Sequence, residues 1–168
     1  MLLLDVVPQD LTKEERKKGL TKDSKEFRNR LARLGKERIL DSRNKAIFYK
    51  DLGNLIQIGN LSDDLPLLSE TDWVIEAVVE KLEVKQELLS QVNKYRKPGT
   101  IVSSNTSGIS INKMAAVLPL EFRQHFLGTH FFNPPRWMKL LEIIPSEDCL
   151  PELVEFMKEF AARRLGKG

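Results

Sequence analysis

The chain has 168 residues, of which 41% are hydrophobic and 30% charged, the balance of an ordinary soluble globular protein of about one domain. This composition excludes collagen-like, mucin-like and disordered chains, and the longest apolar runs fall far short of the roughly 20 residues that cross a bilayer. No basic segment precedes the apolar N-terminus, and the one cysteine, Cys149, cannot form an internal disulfide. We therefore expect a cytoplasmic protein with no membrane span and no secretory leader.

The net charge of +3 is unevenly distributed along the chain. Residues 1–50 hold 14 Lys and Arg against 8 Asp and Glu, and the remainder is net acidic. Much of the basic charge lies in Lys13–Arg43, where it flanks Phe27, Leu31 and Leu34 at helical spacing. A solvated helix face is the ordinary interpretation, and a surface that faces the phosphates of nucleic acid or of a cofactor is the alternative. No aromatic interleaving or nucleic-acid motif accompanies these residues, so we expect no nucleic-acid partner.

Hydrophobic periodicity predicts strands and helices in alternation. A strand over Met1–Val7 ends before Pro8, and a long helical region follows through about Ile39 with a break at Gly35. The later predicted elements are, in chain order, a strand over Leu55–Ile58, helical turns over Asp63–Leu68, a strand over Asp72–Val79, a helix from Leu82 to Val92, a strand over Ile101–Ser103, a helix over Ile111–Leu118, strands over Phe126–Phe132 and Met138–Ile144, and a helix over Pro151–Leu165. This order predicts an α/β fold with a mainly parallel sheet.

Polar residues cluster where the predicted strands end. These clusters are Asp5, residues 77–80, residues 104–107 and residues 130–133. In open α/β sheets, ligands bind outside the carboxyl ends of the strands, at the point where the strand order reverses. The convergence of four polar segments at such ends predicts a ligand site.

His130 and Glu142 form the most informative pair of candidate residues. They lie on two predicted strands that are joined across Pro134 and Pro135. If the strands pair as a hairpin, the Glu142 carboxylate can hold the imidazole in one tautomer and stabilise the imidazolium, an arrangement that suits a general base. A core histidine that bonds to a backbone carbonyl is the alternative.

Three further residues could bind a cofactor or substrate. Asp5 ends the first strand, where an acidic residue can accept hydrogen bonds from an adenosine ribose and favour NAD over NADP; a turn or cap residue is the alternative. Asn105 and Ser107 could bind a substrate oxygen or the nicotinamide ribose, or cap the next helix. The nine glycines contain no G-x-G-x-x-G turn, which would let a pyrophosphate approach a helix N-terminus.

Three segments, in a fixed order, carry a family resemblance. Residues 72–85 read DWVIEAVVEKLEVK, residues 104–107 read SNTS, and residues 130–142 read HFFNPPRWMKLLE. They resemble the (D)xVIEAVxExxxVK, SNTS and HFFNPxxxMKLxE motifs of the 3-hydroxyacyl-CoA dehydrogenases. The sequence of the third segment is most similar to the branch of that family in which the dehydrogenase is fused to an enoyl-CoA hydratase domain. The resemblance runs through effectively the whole chain. It implies an incomplete Rossmann-like, doubly wound, mainly parallel sheet, with a helical insertion at about 9–50 near the CoA end of the substrate.

The resemblance also implies a reaction, the NAD-dependent oxidation of (S)-3-hydroxyacyl-CoA to 3-oxoacyl-CoA in fatty-acid β-oxidation. By this resemblance His130 is the catalytic base and Glu142 its paired carboxylate. Ser107 is implied to act in catalysis by bonding the C3 oxygen of the substrate, and Asn133 to bind substrate from the catalytic loop. The residues implied to lie near NAD are Asp5, Ala77, Glu80, Lys85 and Asn105. No metal is implied.

The sequence also departs from the family's pattern at both ends. The family's first strand, Gly-rich turn and first helix have no counterpart before Asp5, and its C-terminal helical substrate and dimerisation domain has none after Leu165. We therefore expect residues 1–168 to be a partial NAD-binding domain with little or no activity alone, prone to self-association through exposed sheet edges, and a homo-oligomer in the full-length parent. A non-catalytic remnant that binds a nucleotide or CoA, or an interaction module, is the alternative.

Overall fold

The computed structural model describes residues 1–44 and 46–168, which form two compact units, Met1–Pro66 and Leu67–Gly168. The first unit contains β1 (Leu2–Asp5), α1 (Lys13–Lys17), α2 (Lys25–Arg28), α3 (Arg30–Leu40), a 3-10 helix over Lys50–Leu55 and β2 (Gln57–Asn60). A second 3-10 helix covers Leu65–Glu70 at the boundary. The second unit contains β3 (Trp73–Glu76), α4 (Leu82–Tyr95), β4 (Ile101–Ser104), α5 (Ile111–Ala115), α6 (Leu120–Gln124), β5 (Phe126–Phe131), β6 (Leu141–Pro145) and α7 (Pro151–Leu165).

The first unit is a parallel strand pair covered by helix α3. β1 and β2 run parallel, with Leu2 opposite Gln57 and Asp5 opposite Asn60, and α3 packs on both strands. The predicted first strand is therefore present, and it ends at Asp5 rather than at Val7.

The predicted long helix is three short helices, and the predicted break at Gly35 is wrong. Gly35 lies inside α3, where it faces Leu3 of β1, and the chain instead leaves the helical path between α1 and α2 and again at Asn29. Because Asn29 interrupts the helix, the predicted apolar face is not continuous. Phe27 is buried, with 1% of its surface exposed, whereas Leu34 is 38% exposed.

The second unit is a four-stranded sheet in the order β3-β4-β5-β6. β3, β4 and β5 are parallel, and β6 is antiparallel to β5. This arrangement, with the parallel pair of the first unit, confirms the predicted α/β fold with mainly parallel sheets. All six predicted strands are present, and β6 begins at Leu141 rather than at Met138 because a turn at Pro134–Met138 precedes it. Helix α6 was not among the predicted elements.

The core of the second unit contains aromatic and aliphatic side chains from α6, β5 and α7. Phe122 and Phe126 are fully buried, and their ring centroids are 5.6 Å apart. Leu127 packs in a cluster with Leu153 and Met157 of α7. Burial of this apolar face fixes α7 against the sheet.

A short polar chain crosses the same sheet. The Trp73 indole N–H donates to the Ser103 hydroxyl oxygen at 2.9 Å, and the Thr129 hydroxyl donates to the same oxygen at 2.8 Å. The three residues stand on β3, β4 and β5, and both Ser103 and Thr129 are fully buried. The three parallel strands are thus joined by side chains as well as by their backbones.

None of the helices in the described parts of the chain is both long enough and apolar enough to cross a membrane.

Candidate active site

His130 and Glu142 face one another across the hairpin of β5 and β6. The antiparallel register places the two residues directly opposite, and His130 Nδ1 lies 2.8 Å from Glu142 Oε2. The imidazole is 20% exposed and its ring centroid lies 4.6 Å from that of Phe132. The predicted hairpin pairing is confirmed. A histidine bonded to a backbone carbonyl, the alternative for this residue, describes His125 instead, whose Nδ1 lies 2.8 Å from the Glu121 carbonyl oxygen.

The contact with Glu142 selects a tautomer for His130. A carboxylate accepts a hydrogen bond, so Nδ1 is the nitrogen that carries the proton of the neutral ring. The lone pair then resides on Nε2, the nitrogen that faces away from Glu142. A ring held in this way can take a proton at Nε2 while the carboxylate stabilises the resulting imidazolium.

The loop that follows β4 is tied to the end of β5 by Asn105. The Asn105 backbone N–H donates to the Glu76 carbonyl oxygen at 2.8 Å, and its side-chain oxygen accepts from the Phe131 N–H at 2.9 Å. Phe131 directly follows His130. Helix α5 is capped by Ser110, whose side chain accepts from Lys113 N–H, so the helix-capping alternative does not describe Asn105 or Ser107.

The Glu80 carboxylate anchors the other part of that loop. It accepts hydrogen bonds from the Thr106 hydroxyl and from the backbone N–H groups of Ser107 and Gly108, the latter two at 3.2 and 3.3 Å. The Thr106 hydroxyl and the Lys85 ammonium, which lies 3.2 Å away, lower the pKa of Glu80 from 4.5 to about 2. Glu80 is therefore ionised at neutral pH and holds the backbone of Ser107 in place.

A buried ion pair lies beneath Glu80. Lys85 Nζ is 2.8 and 3.0 Å from the two oxygens of the Glu76 carboxylate and 3.2 Å from the Val78 carbonyl oxygen. Both charged side chains are only 1% exposed, and the Ser104 hydroxyl donates to Glu76 as well. In this structure the partners of Lys85 are thus protein groups, and its predicted contact with a cofactor stays a prediction.

Glu76 was not among the site residues predicted from the sequence. The sequence feature that could have indicated this residue is an acidic side chain among the apolar residues of a predicted strand. In the structure Glu76 lies opposite Ser104 of the next strand. A charge at such a position needs a buried partner of opposite sign, and the lysine in the first turns of the following helix is such a partner.

The other predicted residues stand at strand ends or in loops. Asp5 belongs to the first unit, where it is exposed at the carboxyl end of β1 and accepts from the Val6 N–H at 2.7 Å. Ala77 and Asn133 belong to the second unit and are exposed directly after β3 and in the loop after β5. Over residues 1–44 and 46–168, no group of three or more His, Cys, Asp or Glu side chains is arranged to hold a metal ion.

Comparison with known proteins identifies the family. Residues 3–168 match the family described as "3-hydroxyacyl-CoA dehydrogenase, NAD binding domain". The chain belongs to this family. The resemblance inferred from the three motifs is confirmed, and the family's name gives NAD as the cofactor of the domain.

Relatives in the 3-hydroxyacyl-CoA dehydrogenase family cover the chain wholly or in large part. A probable 3-hydroxyacyl-CoA dehydrogenase of Bacillus subtilis is 52% identical over 168 residues, 100% of this chain and 21% of the relative. A putative fatty acid oxidation complex trifunctional enzyme of Rickettsia felis is 38% identical over 139 residues, 83% of this chain and 19% of the relative. The crystal structure of 3-hydroxybutyryl-CoA dehydrogenase from Escherichia coli K12 has 31% identity and a TM-score of 0.68, covering 82% of this chain and 29% of that chain. The chain therefore spans less than a third of the length of each of these proteins.

Proposed function

We propose that this chain is the NAD-binding part of an enzyme that oxidises (S)-3-hydroxyacyl-CoA to 3-oxoacyl-CoA. The observation that carries the proposal is the 2.8 Å contact between His130 Nδ1 and Glu142, which leaves Nε2 free to act as a base. The name of the Bacillus subtilis relative supports the substrate class, and that of the Rickettsia felis relative supports a place in fatty-acid β-oxidation.

His130 would remove the proton of the substrate's 3-hydroxyl group at Nε2. The Glu142 carboxylate stabilises the imidazolium that forms, because the negative charge faces the opposite ring nitrogen. When bound, NAD supplies the acceptor for the hydride that leaves C3. The Ser107 hydroxyl would donate a hydrogen bond to the C3 oxygen, from a backbone that Glu80 holds at 3.2 Å. Asn133 would contact the substrate from the loop after β5.

We propose that NAD is contacted by residues at the strand ends. The Asp5 carboxylate is exposed at the carboxyl end of β1 and is suited to accept from ribose hydroxyls. Ala77 is exposed after β3 and offers a small side chain against which a ligand can lie. We propose direct contacts for these two residues, and also for Asn105, Glu80 and Lys85 once the ligand is bound.

The same proposal covers the domain organisation, the oligomeric state and the cellular compartment. Residues 1–168 would act as an NAD-binding domain with a helical insertion at about 9–50, where α1, α2 and α3 lie. The full-length parent would be a homo-oligomer, and the buried free thiol of Cys149 suits a reducing compartment such as the cytoplasm.

The test is reduction of acetoacetyl-CoA by NADH, followed at the NADH absorbance. We would assay the 168-residue chain and a chimera in which it replaces the matched segment of the Bacillus subtilis relative, with the unaltered relative as reference. His130→Gln is expected to lower turnover by about 10²–10⁴-fold, the usual contribution of a general base. His125→Gln is the matched control, because the chain has two histidines and this one bonds to a backbone carbonyl.

A non-catalytic nucleotide-binding or CoA-binding module is the second candidate function. The buried pairing of Lys85 with Glu76 favours it, because this ammonium is only 1% exposed and is not presented to a cofactor as the family resemblance implies. Calorimetry with NAD and with CoA, beside the turnover assay, separates the two candidates. Binding without turnover in both the chain and the chimera would establish the second.

A further inference from the structure

The loop that joins the two residues of the proposed dyad is a largely exposed segment. It runs from the end of β5 to the start of β6 and contains one turn, in which the N–H groups of Trp137 and Met138 donate to the Pro134 carbonyl oxygen at 2.9 and 3.0 Å. Trp137 and Met138 are 57% and 41% exposed. Segments of this kind are the mobile parts of a fold unless another element holds them.

The dyad stands at the end of the hairpin that opens onto this loop. Phe131 opposite Leu141 is the last pair of the β5–β6 register, and His130 opposite Glu142 is the pair before it. A hairpin frays from its ends. Movement of the loop therefore reaches His130 and Glu142 directly after the Phe131–Leu141 pair and before the other pairs of the hairpin.

The end of α7 reaches back to this loop. Gly166 follows the helix with φ = +64°, a left-handed conformation that suits glycine, and the backbone N–H of Lys167 donates to the Ala161 carbonyl oxygen at 2.9 Å. This reversal turns the chain toward the hairpin. The Gly168 N–H then donates to the Lys139 carbonyl oxygen at 3.1 Å.

The Lys167 side chain contacts the loop at two backbone carbonyls. Its ammonium donates to the Met138 carbonyl oxygen at 2.7 Å and to the Pro135 carbonyl oxygen. The same ammonium lies 5.8 Å from the centroid of the Phe131 ring, next to His130 in the chain. One cation thus joins both sides of the turn to the end of β5.

We propose that Lys167 is a positioning residue, which holds the loop after β5 in place and so keeps His130 and Glu142 in register. It acts through backbone carbonyls, and hydrogen bonds from a charged donor are about twice as strong as those between neutral groups. The catalytic part of this inference rests on the proposed function. The structural part, that Lys167 protects the end of the hairpin, does not.

The experiment compares Lys167→Met with Lys167→Arg and with Lys158→Met as the matched control. Lys158 is an exposed lysine on α7 that pairs with Glu155 of the same helix. Amide hydrogen exchange, measured by NMR on the 168-residue chain and by mass spectrometry on the chimera, is the readout that does not depend on activity. In Lys167→Met, exchange at Trp137, Met138 and the amides that close the hairpin should rise at least about tenfold, because the substitution removes both charged hydrogen bonds to the loop.

Three results decide the proposal. Lys167→Arg, which restores charged donors, should return exchange to within about twofold of the wild type, and Lys158→Met should not alter it. In the chimera, Lys167→Met should lower kcat about tenfold with little change in KM, because the acid–base geometry and not ground-state binding is disturbed. Unchanged exchange at the hairpin, or a rise spread evenly over the whole second unit, would overturn the proposal. A missing dehydrogenase activity in the wild-type chimera would refute the proposed function while the exchange data still decide the role of Lys167.

Discussion

The ion pair between Glu76 and Lys85 lies out of reach of water, so removing one of its charges should destabilise the fold far more than removing a surface charge. Glu76→Gln keeps the size of the side chain and removes the negative charge. Breaking a buried ion pair at one partner costs about 3–5 kcal/mol, because the other charge stays buried without compensation. Here the Glu80 carboxylate remains 3.2 Å from the ammonium and is itself 45% exposed, so we expect the lower end, about 3 kcal/mol.

The assay is urea unfolding at neutral pH, with thermal unfolding as a second measure. A loss of about 3 kcal/mol corresponds to a fall in Tm of about 6–12 °C for a protein of this size. The matched control is Glu155→Gln, which removes a carboxylate that is 72% exposed beside Lys158. The free energy of unfolding of this control variant should stay within about 0.5 kcal/mol of the wild-type value.

A double-mutant cycle isolates the charge from the change of side chain. In Glu76→Gln/Lys85→Met neither buried charge is left without its partner, so the double variant should be less destabilised than the sum of the two single variants. A Glu76→Gln cost below about 1 kcal/mol, the range of an exposed pair, would refute the reasoning. So would a cycle in which the two effects simply add.

Three further predictions concern the site and the sheet. The pKa of Glu80 lies at about 2, below its ordinary 4.5, so its charge contributes stability that is present above that ordinary value and is lost as the pH falls through about 2. The difference in Tm between the wild type and Glu80→Gln should therefore shrink between about pH 5 and pH 2, and a constant difference would contradict this. Glu142→Gln should lower turnover in the chimera by about 10²–10⁴-fold, since an amide can donate to Nδ1 and place the proton of the neutral His130 ring on Nε2; full activity would exclude the tautomer argument. Gly128→Ala should cost about 1–3 kcal/mol in urea unfolding, because a new Cβ would stand 3.0 Å from Ile111 Cδ1, and an unchanged midpoint would show that α5 can shift.

The sequence predicts best the elements whose partners lie close along the chain. Two predicted strands separated by Pro134 and Pro135 suggested a hairpin, and the pairing of these strands places His130 opposite Glu142. The helical region before Ile39 was harder to predict from the sequence. The helix is interrupted at Asn29, and helical spacing of apolar residues alone does not predict this interruption. Gly35 remains helical, in a helix that packs on β1.

The parts of the site that escaped the sequence analysis depend on contacts between distant segments. Glu76 acquires its partner only when α4 turns back over the carboxyl end of β3, and Lys167 acquires its own only when α7 ends beside the hairpin. Motifs located Lys85 and Glu80 but not the direction of their side chains. Whether these two residues touch a cofactor stays a prediction, while their contacts with each other and with the loop after β4 are features of the fold.

The polar chain from Trp73 through Ser103 to Thr129 restricts how the parallel strands can align. A slip of β4 by one residue would turn Ser103 to the opposite face of the sheet, and a slip by two would leave the indole N–H and the Thr129 hydroxyl without this acceptor. Each buried polar group left without a hydrogen-bond partner costs about 1–3 kcal/mol of folding free energy. Sheets with a shifted register are therefore disfavoured even where the apolar pattern would tolerate them. These three hydrogen-bonding side chains thereby help to fix the register of the strands. In that register β3 and β4 end opposite one another, at Glu76 and Ser104, and the loops of the proposed site follow these two ends.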